Sequence, residues 1–86
     1  MAVRATPTSE RVLRAVLDDM RGGEGGNGRA LRATWHLDAG CVVLSIWRDG
    51  SCAATARLTP VEAGRLSALL GEGMASLAAD AVAAGP

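Results

Sequence analysis

The sequence predicts a small α+β domain with elements in the order α-β-β-β-α, a three-stranded antiparallel meander packed on a C-terminal helix. Three observations predict it. Asp49-Gly50 stands between two runs rich in Val, Ile, Trp and Thr, the pattern of a two-residue hairpin. Thr59-Pro60-Val61-Glu62 opens a long stretch of helical apolar spacing. The glycine-rich GGEGGNG, residues 22–28, separates this body from an N-terminal stretch that also reads as helical.

The N-terminal helix is expected over residues 7–21. Pro7 suits a first helical position, and Val12, Leu13, Val16, Leu17 and Met20 recur at helical spacing. Gly22 and Gly23 would end it. Residues 22–28 read as a flexible linker rather than a phosphate-binding loop, because a helix precedes, a strand follows and the chain has no Lys. The meander is expected over residues 30–58, with strands at about 30–37, 41–48 and 51–58. Asp38-Ala39-Gly40 fits a three-residue loop with Gly40 left-handed. The C-terminal helix is expected over residues 60–79, with Thr59 as cap, Pro60 at its first position and Glu62 closing a capping box. Residues 80–86 read as a fraying tail.

All 86 residues make one domain, near the lower limit for independent folding. Hydrophobic residues are 49% of the chain, yet Phe and Tyr are absent, so the core is built of small pieces. Domains of this kind often complete themselves by pairing. Nine Arg balance nine acids, so the broad basic field of most nucleic-acid binders is missing. No apolar run approaches the roughly 18 residues of a membrane span, and the N-terminus lacks a signal-peptide core. The expectations are a cytoplasmic protein, with reduced thiols, and no membrane partner.

The two cysteines, Cys41 and Cys52, bracket the Asp49-Gly50 hairpin. The turn sets Trp47 opposite Cys52 and, six residues away along the strand, Cys41 opposite Leu58. At about 3.3 Å per residue the thiols lie roughly 20 Å apart, beyond the 7 Å Cα reach of a disulfide and beyond a shared metal. His36 is the one histidine. The three-residue loop sends it to the face opposite the cysteines, and a loop of other parity would bring it to theirs. No carboxylates gather around a cleft. The cysteines therefore read as buried core thiols, and catalytic residues, cofactors and metals are not expected.

With that register one face carries Ala33, Trp35, Leu37, Cys41, Val43, Trp47, Cys52, Ala54, Ala56 and Leu58, and calls for the C-terminal helix. The other carries an aliphatic stripe, Val42, Leu44 and Ile46, rimmed by Arg32, Arg48 and Arg57. An apolar centre with a polar rim is the composition of an interface. Its occupant would be the N-terminal helix, a second copy of the chain, or a nucleic acid held by the arginines. On the C-terminal helix, Gly64, Ala68, Gly71 and Ala75 recur at helical spacing and form a small-residue face open to a close neighbour.

A three- or four-stranded sheet backed by one C-terminal helix resembles the single-strand-binding transcriptional coactivators at the level of architecture. That resemblance implies nucleic-acid binding, although both Trp residues are expected on the face away from the arginines. The function read from the sequence is a non-catalytic protein–protein interaction or regulatory module acting as a homodimer, with a protein partner of unknown identity. The alternative is a nucleic-acid-binding or transcription-associated factor that uses the arginine-bearing face.

Overall fold

The computed structural model describes residues 11–21 and 28–85. These residues form an α+β fold with one antiparallel sheet and one helix: β1 (Val12–Asp18), β2 (Arg29–His36), β3 (Cys41–Arg48), β4 (Ser51–Leu58) and α1 (Pro60–Ala83). The strands lie in chain order, so the meander has four strands rather than three. The stretch read as an N-terminal helix is the added strand. Residues 12–18 pair along their whole length with β2, from Val12 opposite His36 to Asp18 opposite Ala30. A seven-residue segment with five apolar residues serves either periodicity, and cross-strand pairing with β2 decides it here. Residues 7–10 of the expected helix and 22–27 of the expected linker lie outside the described residues.

The turns follow their chemistry. Asp49 and Gly50 both take positive φ, 52° and 83°, as a type I′ hairpin requires. The β2–β3 connection spans residues 37–40, one more than expected, and Gly40 takes the left-handed position (φ 69°) while its N–H donates to the His36 carbonyl at 2.9 Å. Gly28 enters β2 with φ 71°, and its carbonyl accepts from the Asp49 N–H at 3.0 Å. A side chain at Gly28 would collide with that of Asp49. Asp38 ties this connection to the start of β1: one carboxylate oxygen accepts from the Arg11 backbone N–H (3.2 Å), the other from its guanidinium (3.1 Å). The backbone bond first, then the guanidinium, hold the Asp38 carboxyl below its ordinary pKa.

Two register features redistribute the side chains. The four-residue loop sets Trp35 opposite Val42 and His36 opposite Cys41. A bulge between Ile46 and Trp47 then shifts β4 by one residue, so Val42 rather than Cys41 faces Leu58. Each one-residue change turns a strand over. Apolar residues thereby gather on one face, called face A: Leu13, Leu17, Leu31, Ala33, Trp35, Val42, Leu44, Ile46, Ala56 and Leu58. Face B carries Arg14, Arg32, Thr34, His36, Cys41, Val43, Ser45, Trp47, Cys52, Thr55 and Arg57.

Helix α1 begins at the expected Thr59 cap and Pro60. The Thr59 hydroxyl accepts from the Glu62 N–H at 3.2 Å and Pro60 leads the first turn. The Glu62 carboxylate takes the Arg65 guanidinium at 3.4 Å. The helix runs through Gly71 and Gly73 to Ala83, so residues 80–83 are helical rather than part of the tail. It lies on the side of face A, meeting β3 and β4.

Candidate functional site

Face A and the stripe of α1 that looks toward it do not close on each other. At 100° per residue, Ala63, Leu66, Leu70, Met74, Leu77 and Ala81 share one side of α1. The first part of that stripe, from Ala63 to Met74, lines an open groove of about 530 Å³ against Trp35, Val42, Leu44 and Leu58. Exposure climbs along the helix, from 36% at Leu66 through 57% at Leu70 and 67% at Met74 to 71% at Leu77. The helix separates from the sheet toward its C-terminus. Among the described residues Val42, at 5% exposure, is the one buried hydrophobic residue, and α1 has no buried residue in its 24.

The expected interface residues divide between the faces. Val42, Leu44, Ile46 and Arg48 are on face A; Arg32 and Arg57 are on face B. The stripe therefore lies under the root of α1, not on the side away from it, and its neighbours are Trp35, Leu31 and Leu58 rather than the two arginines. The small residues Gly64, Ala68, Gly71 and Ala75 run about 120° around α1 from the apolar stripe. A Cβ added at Gly64 or Gly71 meets nothing within 4 Å, so that strip of the helix is open.

Face B is a polar surface with one aromatic ring in it. Trp47, expected in the core, lies here half-buried, with the Arg32 guanidinium 3.8 Å over its ring and its indole N–H donating to Ser45 Oγ at 2.9 Å. Arg14, Thr34, Val43 and Arg57 form one row across the four strands, so Arg14 and Arg57 stand about 14 Å apart. The combination of cation, ring and hydroxyls was hidden from sequence by the register. The signal that finds it is the alternative parity of the β2–β3 loop, which brings Arg32 to the face of Trp47 and Trp35 to the face of Val42.

Both cysteines are free. They share face B, but Cys41 is half-buried and Cys52 is exposed, which corrects the reading of both as core thiols. The Cys52 thiol donates to the Ala54 carbonyl at 3.6 Å and is 3.3 Å from the Thr55 hydroxyl. His36 stands directly across from Cys41 on this face. Among the described residues no three His, Cys, Asp or Glu side chains gather as metal ligands would.

By length and composition α1 is able to cross a membrane, with mean hydropathy 1.3 over its most apolar window. Glu72 and Asp80 lie on it, however, and a carboxylate near a bilayer centre costs about 3 kcal/mol. Comparisons with protein families, curated proteins and solved structures find no match.

Proposed function

We propose that this protein is a non-catalytic interaction module that works as a homodimer, two copies closing over face A and α1 and turning face B outward to a macromolecular partner. The observation that carries this reading is the set of apolar side chains on face A and α1 that stay exposed among the described residues. Obligate dimers bury 2,000–5,000 Å² in total, in interfaces that resemble a core cut in half. Seven side chains that share this side of the molecule (Leu13, Leu17, Ile46, Leu66, Leu70, Met74 and Leu77) are each about half exposed or more, apart from Leu66. At about 1–2 kcal/mol for each on burial, a pair of chains gains on the order of 14–28 kcal/mol. Association costs roughly 4–15 kcal/mol, so pairing is favourable across most of that range. The free thiols suit a reducing cytoplasm. The test is unfolding by urea at several protein concentrations. The midpoint of a dimer rises with concentration; a midpoint that does not move argues for a monomer.

The outward face has a second reading with its own observation. Arg32 stacked on Trp47, with Arg14 and Arg57 on the same face, offers a ring for a base and cations for phosphates. This favours single-stranded nucleic acid over duplex as a non-protein partner, in line with the architectural resemblance. Retention of the dimer on single-stranded DNA at low salt, falling steeply as salt rises, supports it. No retention at low salt leaves a protein as the occupant of face B.

A further inference from the structure

We infer that the C-terminal half of α1 covers the sheet of a second copy, with Met74 and Leu77 of each chain seated in the groove at Leu17, Leu31 and Ile46 of the other. The inference rests on the homodimer reading above and specifies its geometry. Two grooves open on face A among the described residues. The first lies at the root of α1 and is shared with residues of the same helix up to Met74. The second, about 370 Å³, lies at the other end of the sheet, lined by Leu17, Leu31, Ile46 and Ala30 together with Asp18, Asp19 and Arg29, and no residue of α1 lines it. The three side chains stand in one row across β1, β2 and β3, since Leu17 faces Leu31 and Leu31 faces Ile46.

Among the described residues there are therefore two complementary deficits. One end of the sheet has no helix over it, and one end of the helix has no sheet under it. Leu17 and Ile46 are 52% and 45% exposed, and the stripe of α1 becomes more exposed the farther it runs from β4. From Met74 to Ala83 the helix extends about 14 Å, enough to span the roughly 10 Å between β1 and β3. A two-fold axis satisfies both deficits at once, because the contact of helix on sheet is repeated with the chains exchanged. A foreign partner would need to supply a helix for one surface and a sheet for the other. A second copy has both. The side chains left to be covered, Leu17 and Ile46 on the sheet and Met74 and Leu77 on the helix, are the ones such a pairing buries.

The experiment uses the full chain in mixed samples. One chain, with Cys41→Ser, Cys52→Ser and Ser76→Cys, carries a nitroxide on α1 and no isotope; the other is wild type and labelled with ¹⁵N. Broadening of the Leu17, Leu31 and Ile46 amides in the wild-type chain is the expected result. Broadening confined to α1 residues, in a sample that sediments as a dimer, overturns this geometry and leaves the homodimer standing. A sample that sediments as a monomer overturns both. Should the labelled variant not fold, isotope-filtered NOEs in mixed wild-type protein replace it. Contacts from the Met74 and Leu77 methyls to Ile46 of the other chain are then expected, and contacts between α1 residues alone overturn the geometry.

Discussion

Leu77 and Val61 make a paired test of where the apolar surface is used. In the single chain they are equally exposed, at 71% and 72%, so a monomer gives no reason for them to differ. They lie about 160° apart around α1, Leu77 on the stripe that faces the sheet side and Val61 nearly opposite. For a monomer, Leu77→Ala and Val61→Ala are both surface substitutions, worth within about 0.5 kcal/mol. For the dimer, Leu77 is buried in each of two copies. Removing it costs about 1–2 kcal/mol per site, hence roughly 2–4 kcal/mol per dimer and a dissociation constant raised by about 30- to 10³-fold. Val61→Ala should remain near neutral, since Ala is the better helix former. Sedimentation across a dilution series reads the dissociation constant, and urea unfolding reads stability in the same samples. Equal and small effects from the two substitutions would refute the account of the stripe as an interface.

Three further outcomes follow from local geometry. Gly28→Ala should destabilise by about 1–3 kcal/mol in urea unfolding, because the residue needs positive φ and its Cβ would strike Asp49; a loss within 0.5 kcal/mol would show that this corner relaxes freely. Asp38 holds its proton less readily folded than unfolded, so its contribution is complete above the unfolded carboxylate value of about 3.9 and fades as pH falls through the lower folded value. Asp38→Asn should flatten that part of the acid limb, and an unchanged limb would remove Asp38 as a cause. Trp47→Ala should cost less than the roughly 3–5 kcal/mol of a fully buried ring, because Trp47 sits half-buried on face B, and it should weaken retention on single-stranded DNA if that reading of face B holds. A melting temperature that collapses would place Trp47 in a core after all.

Local chemistry was the legible part of this chain. Asp49-Gly50 gave its hairpin, Gly40 its left-handed turn and Thr59-Pro60 the start of α1, because each of these residues acts on its own backbone. β1 was less legible. Val12, Leu13, Val16 and Leu17 suit a helix stripe, but in the strand Leu13 and Leu17 fall on face A while Val12 and Val16 fall on face B. Only β2, outside the segment, selects between the two. Side-chain facing was the least legible. It depends on two single-residue counts, the length of the β2–β3 loop and the bulge at Ile46/Trp47. Together they moved Trp35, Leu58 and Ala56 onto the side of Val42 and sent Arg32 and Arg57 to the side of Trp47. The aliphatic stripe was identifiable from composition, and its neighbours were not.

The central claim is that the exposed apolar side of the sheet and helix is closed by a second copy of the chain. Analytical ultracentrifugation of the wild type at micromolar concentration tests it most directly. A single species of twice the 8.7 kDa chain mass is expected. A species of 8.7 kDa that persists as concentration rises would contradict it.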